Sequence, residues 1–208
     1  WSVSGRDPGR ASARERSVAG ASLPPTLVFP SQAPPVPRRP ASTSSQHIEN
    51  QERAVTEGTL ASAEENESLV STLLFYNVTE GAYYETDFNR QYAEAPPTRF
   101  GDTLESVFRD RGIAFNVQLS YLAGDADERQ QRRLVYMGAP TDSAVSASRV
   151  VTLYDTDETT EPNGSVEGST DRTLANVTNT SGDDFYMADV SKGPVYNVVE
   201  VEVTVWRM

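Results

Sequence analysis

The most regular pattern along the chain is an alternation near its C-terminal end. Val195, Asn197, Val199, Val201, Val203 and Val205 alternate with Glu200, Glu202 and Thr204, so an extended backbone turns one apolar face to a core and one polar face to water. The same period of two runs through 113–121, where Ile113, Phe115, Val117, Leu119 and Tyr121 alternate with Ala114, Asn116, Gln118 and Ser120. Residues 133–138 and 145–154, the latter ending Arg149-Val150-Val151-Thr152-Leu153-Tyr154, predict two more strands. The acidic segment Gly124-Asp125-Ala126-Asp127-Glu128 reads as the loop joining the first pair.

Helical spacing precedes the strands. The hydroxyls of 42–45 offer N-caps, and Gln46 to Val55 continues as a helix. Ile48, Val55, Leu69 and Tyr76 recur at multiples of seven, which predicts a narrow apolar stripe. A break is expected near Asn66-Glu67-Ser68, with a short apolar helix from Leu69 to Phe75 beyond it. Another helix fits Thr98 to Arg111, where Phe100, Leu104, Val107 and Phe108 share a side and Gly112 closes the end. The sum is an α+β fold, with an N-terminal helix and short helices packed on one face of an antiparallel sheet of about four strands. Residues 156–184, rich in Thr, Asn, Asp, Gly and Ser, predict a long exposed insertion between strands.

Residues 1–43 have a different character. Pro24, Pro25, Pro30, Pro34, Pro35, Pro37 and Pro40 leave no room for a regular helix. Apolar pieces such as Leu27-Val28-Phe29 fall short of the roughly 18 uninterrupted apolar residues that cross a membrane. The segment reads as a Pro/Arg-rich arm or a degenerate signal or anchor, and 44–208 as one acidic folded domain.

Charge sharpens this division. The net charge is −12, yet residues 1–40 hold six Arg against Asp7 and Glu15, so the remainder is more acidic than the whole. Such a field repels a phosphate backbone, and nucleic-acid binding is not expected. Lys192 is the only lysine, and Asp and Glu number 30. A carboxylate-dense, lysine-poor surface suits high salt, where screening and bound counter-ions relieve self-repulsion.

Candidate chemistry is sparse. The chain has no cysteine, which removes disulfides, thiolate nucleophiles and Cys-ligated metals. His47 is the only histidine and lies in a Ser/Thr/Gln context with no nucleophile elbow, so it reads as solvated rather than as part of a triad. Carboxylates cluster at Asp125, Asp127 and Glu128, at Asp155, Asp157 and Glu158, and at Asp183-Asp184. Alternate Asp residues can bind Ca²⁺, but the Gly-pivoted loop closed by Glu is missing. No catalytic residue, metal site or cofactor is therefore expected, and a hydrolase using His47 or scattered carboxylates is the last-ranked alternative. The sequon Asn-x-Ser/Thr carries more information. It occurs at Asn66, Asn77, Asn163, Asn176 and Asn179, five of nine asparagines, where composition predicts about two. These asparagines are candidate glycan acceptors, which points outside the cytoplasm.

Three stretches carry a resemblance: Ala41 to Gln51 (ASTSSQHIENQ), Arg111 to Val117 (RGIAFNV) and Ser143 to Asp155 (SAVSASRVVTLYD). Over about 41–208 the chain resembles an uncharacterised family of haloarchaeal pilin-like secreted or membrane-anchored proteins. The resemblance implies a leader, a glycine cleavage point, a following Glu and an apolar anchoring helix. Gly9, Glu15, Val18-Ala19-Gly20, Leu27-Val28-Phe29 and Gln32-Ala33 look like remnants of that segment, with Pro, Ser and Arg between them. The expected function is thus a non-enzymatic structural or interaction protein of the archaeal envelope or cell surface. Its expected partners are copies of itself, envelope proteins, counter-ions and, through the N-terminus, a membrane. The alternative is a soluble binding module that uses loop 156–184 for a ligand or cation.

Overall fold

A computed structural model of the chain describes residues 43–86, 91–124, 128–162, 172–177 and 185–208. The chain divides into two units, Trp1–Arg38 and Arg39–Met208, and every described residue belongs to the second.

Helix α1 spans Thr43–Glu65. Its buried line is Glu52, Thr56, Thr59, Leu60 and Ala63, a spacing of three and four. The seven-residue stripe expected from the sequence is corrected here: Ile48 remains 39% exposed and Val55 is only partly buried. A straight helix drifts away from a strict seven-residue repeat, so a face made over several turns follows the 3.6 period instead. Thr56 and Thr59 can enter that face because their hydroxyls donate to the carbonyls of Glu52 and Val55 one turn back, at 2.8 and 2.9 Å. Their small side chains let the helix approach the sheet closely.

The break after α1 falls where the sequence placed it. Glu67 takes a left-handed conformation, and the Ser68 N–H donates to Asn66 Oδ1. Helix α2 then covers only Ser68–Leu73. The helix stops short of Phe75, its expected end, and Tyr76–Asn77 (β1) pairs with Ala82–Tyr83 (β2) in a small hairpin. Thr98 caps helix α3, Arg99–Val107, by accepting from the Gly101 N–H. The α-helix ends four residues earlier than the spacing predicts. Its last turn tightens into a 3-10 turn, Arg109–Arg111, before Gly112 reverses the chain at φ 72°.

The main sheet contains β3 (Ile113–Leu122), β4 (Arg129–Tyr136), β5 (Val145–Tyr154) and β6 (Val195–Arg207). It is antiparallel throughout, in the order β4-β3-β6-β5. Phe115, Val117 and Leu119 stand opposite Val205, Val203 and Val201, so the two central strands present one continuous apolar face. The helices cover that face: α1 and α2 lie against β5, and Phe108 packs on Phe115 with ring centroids 6.2 Å apart. The opposite face carries Gln118, Ser120, Ser146, Glu200, Glu202 and Thr204, none of them buried.

One polar residue occupies the apolar face. Asn197 is fully buried, and its amide donates to the carbonyls of Leu122 and Ala188. Its Oδ1 accepts from the N–H groups of Leu122 and Val198, so the side chain ties β3 to the start of β6 with its polar atoms satisfied. The insertion 156–184 also differs from expectation. Glu158 bridges to Thr173, Leu174–Val177 forms a short helix (α4), and Leu174 and Thr159 are buried. Thr160 N–H reaches the Leu74 carbonyl. The insertion is thus rooted in the core through these residues, and 163–171 and 178–184 lie outside the described residues.

Candidate functional site

The largest side-chain constellation of the described residues is aromatic. The β1–β2 hairpin contributes Tyr76 and Tyr83, β3 contributes Tyr121, and the approach to β6 contributes Phe185 and Tyr186. Into it β4 sends Arg132, whose guanidinium carbon lies 4.9 Å from the Tyr186 ring centroid, 5.2 Å from Tyr83 and 5.5 Å from Tyr76. One cation faces three quadrupoles, and its guanidinium also acts as a donor toward the Tyr121 hydroxyl. The Tyr186 hydroxyl donates to the Leu73 carbonyl at 3.1 Å. Burial pushes the Tyr83 and Tyr186 phenols well above their usual range, because the phenolate would be desolvated. The Tyr83 hydroxyl is buried without a well-formed hydrogen bond, although Tyr186 and Arg132 act on it electrostatically. A neutral phenol aimed at a caged guanidinium is a structural clamp, joining hairpin, sheet and the segment before β6.

Those residues singled out in the sequence that are described do not converge on this cluster. His47 is exposed on the first turns of α1. Asp157 Oδ2 accepts from the Tyr154 N–H at 2.8 Å, which makes it the cap of a turn. Asp155 Oδ1 and Thr159 Oγ1 are buried without a hydrogen bond. Glu128 is exposed, and Asp125, Asp127, Asp183 and Asp184 lie outside the described residues. Among the described residues no group of three or more His, Asp or Glu side chains is arranged to hold a metal ion.

Three sequons fall within the described residues. Asn66 is exposed in the α1–α2 turn, Asn176 is exposed in α4, and Asn77 is half-buried with Oδ1 accepting from the Glu80 N–H. Their hydroxyl partners differ: Thr79 is exposed, whereas Ser68 is buried and donates to the Ala63 carbonyl. Asn163 and Asn179 lie outside the described residues.

Two of the open depressions formed by the described residues hold paired carboxylates. One, of about 420 Å³, is lined by Glu85, Tyr92, Glu94 and Tyr136 among others. Its Glu94 is held by a two-pronged ion pair with Arg109, both contacts 2.8 Å, and that guanidinium keeps the carboxyl below its usual range. A carboxylate so committed is a poor general base. The other lies between α1, α3 and the end of β6, where Glu52 and Arg207 pair at 2.7 Å above Val55, Phe108 and Ile113.

A family model described as a family of unknown function, DUF7288, matches residues 15–205. The chain belongs to this family. The DUF7288 match begins at Glu15, ahead of the 41–208 span over which the sequence motifs were distinctive, so it takes in part of the Pro/Arg-rich segment. Searches of curated proteins and of solved structures found no match. DUF7288 brings no activity with it. No helix among the chain's described residues is long and apolar enough to cross a membrane.

Proposed function

We propose that this DUF7288 protein is a non-catalytic, pilin-like component of the envelope of a halophilic archaeon, presenting an acidic, glycosylated α+β head. The observation that carries the reading is the placement of Asn66, Asn77 and Asn176, each at least partly exposed in a turn or short element where a glycan can project without disturbing the core. Two features support it. The solvent face of the sheet is polar and bears Glu200 and Glu202, and positions 45–48 of α1 are exposed all round, as a helix projecting from a sheet-supported head would be. In this reading the N-terminal segment attaches the head to the membrane, and the head works through contacts with copies of itself or other envelope proteins.

The test is glycopeptide mass spectrometry on the protein isolated from surface fractions of its native host. Hexose-bearing peptides covering Asn66, Asn77 or Asn176 are the expected result. Recovery of the unmodified protein from cytosol overturns the proposal.

A second reading, capture of a cation by the insertion 156–184, is favoured by the unpartnered Asp155 Oδ1 and Thr159 Oγ1 at its root. Calorimetric titration with Ca²⁺ decides it, and absence of heat removes it.

A further inference from the structure

The two edges of the sheet are built differently. β4 carries Arg129, Arg132 and Arg133, and Tyr92 already pairs with its end: the Tyr92 N–H donates to the Leu134 carbonyl and the Tyr136 N–H donates to the Tyr92 carbonyl. That edge is charged and partly covered, as edges that avoid further pairing are. β5 has less of either: its one charged side chain, Arg149, is tied to Glu64, and no described segment pairs with its outer side. Its ten residues contain no proline and no lysine, and its register against β6 is regular until the last step, Leu153/Tyr154. In an antiparallel ladder alternate residues turn their peptide groups outward. Those of residues 145–153 meet no hydrogen-bonding partner among the described residues beyond β6.

The side chains around this edge are polarised. On the solvent face Val150 is 55% exposed and Tyr154 46%, and Val198 of β6, opposite Thr152, is 39% exposed. These are three of the five large apolar side chains left in water among the described residues. On the helix face Arg149 is bound to Glu64 at 2.6 Å, and the α1–α2 turn adds the exposed Glu65 and Glu67. Asp155, Asp157 and Glu158 follow the end of the strand. On the helix face Arg149 thus lies beside Glu64, Glu65 and Glu67, next to an unpaired ladder and an apolar strip.

We propose that β5 is the docking edge for an extended segment of another protein whose side chains alternate between apolar and basic. The incoming peptide groups complete the ladder, its apolar side chains cover Val150, Tyr154 and Val198, and its basic ones meet Glu65 and Glu67. Strand addition supplies main-chain bonds to any sequence, and the polarised flanks supply the choice. A second copy of this chain is the poorer occupant, because pairing β5 with β5 brings two sets of Glu64, Glu65 and Glu67 together around one axis. The main-chain pairing does not depend on salt, whereas the charge preference is strongest at low ionic strength.

The test uses the full chain and labelled peptides read by fluorescence anisotropy. One peptide alternates Val and Arg, one alternates Val and Glu, and one repeats the Val/Arg sequence with alternate amides N-methylated. The Val/Arg peptide is expected to bind about tenfold or more tighter than its Val/Glu twin. The N-methylated peptide loses binding, because its charge is unchanged and its ladder is broken. Val150→Lys, at an exposed site that leaves thermal unfolding unchanged, abolishes binding, and Glu65→Gln with Glu67→Gln narrows the preference. The proposal is overturned by absence of Val/Arg binding, by equal affinity for the two charge types, by full binding of the N-methylated peptide, or by a sedimenting dimer that Val150→Lys dissociates.

Discussion

Replacing Arg132 tests whether the tyrosine cage stabilises the fold or merely surrounds a surface cation. Its guanidinium lies 4.9–5.5 Å from three ring centroids, all inside the range of about 6 Å over which cation–π attraction acts. A single such contact is worth about 0.5–1 kcal/mol when exposed and about 2 kcal/mol when desolvated. Three rings share one charge, so the terms do not add fully, and the half-buried setting gives about 2 kcal/mol for the charge. Arg132→Met keeps most of the alkyl stem and removes the cation, so it costs about 2 kcal/mol; Arg132→Ala also loses stem packing and costs about 3 kcal/mol. At about 2–4 °C per kcal/mol for a chain of this size, Arg132→Met lowers Tm by about 4–8 °C. Arg132→Lys retains charge without the planar fork and falls between parent and Met. The assay is thermal and urea unfolding followed by near-ultraviolet tyrosine circular dichroism, at about 0.1 M and about 2 M KCl. A short-range contact persists in both, whereas an exposed ion pair fades in the second. Equal stability of Arg132→Met and the parent at both salt concentrations refutes the clamp.

Further outcomes follow from single observations. A Cβ on Gly101 would sit 1.8 Å from the Pro96 carbonyl oxygen, so Gly101→Ala is expected to destabilise by about 3 kcal/mol or more, visible as a lower urea midpoint. Tyr83, Tyr92, Tyr121 and Tyr186 all have phenols raised above their ordinary 10.0 by burial; the stability they contribute is full below pH 10 and is lost as pH rises beyond it. Tyrosinate absorbance for this group should therefore rise together with loss of ellipticity, and its appearance in a still-folded protein refutes the burial. Glu64→Gln, which breaks the pair with the 44%-exposed Arg149, is expected to cost under about 1 kcal/mol at low salt and nothing measurable at about 2 M KCl.

The sheet was legible wherever one face meets the core and the other meets water. β3, β5 and β6 start where the alternation starts, and two faces in different solvents are what fix a period of two. β4 begins at Arg129, four residues before its sequence signal, because Arg129 to Arg133 pair along an exposed edge by backbone bonds that leave no apolar trace. Helix α1 was legible as a helix but not in its orientation. A threonine that satisfies its own hydroxyl one turn back can be buried, and hydropathy spacing scores it as polar. The β1–β2 hairpin has no local pattern of its own: the expected helix ends at Phe75 and no element is expected over 77–97, yet Phe75 and Tyr76 pack as aromatic partners of Tyr84 and Tyr83. The Arg132 cage joins residues 76, 83, 121, 132 and 186, and no local pattern announces it. The surplus of tyrosine beside an arginine-rich strand is its only trace, and that trace does not specify pairing.

How the molecule distributes its charges bears on the salt regime proposed for it. At about 1 M salt the screening length is about 3 Å, so only direct, partly desolvated pairs survive as contributions to stability. Of the ion pairs among the described residues, Arg109–Glu94, Arg129–Glu200 and Arg149–Glu64 are substantially exposed and lose most of their small worth there. Glu52–Arg207, with Glu52 nearly enclosed at the α1–α3 junction, keeps more of its own. Apart from Glu52, the buried polar groups that tie the elements together depend on neither kind. Asn197 is satisfied by backbone groups, the threonines of α1 by their own helix, and Arg132 by aromatic rings that carry no net charge. A fold in which Asn197, Thr56, Thr59 and Arg132 have neutral partners, and whose carboxylates other than Glu52 and Asp155 lie mostly at the surface, surrenders little stability when salt rises and gains relief from self-repulsion. Stability that increases with KCl up to molar concentrations is the thermodynamic consequence, and a domain most stable in dilute buffer contradicts it.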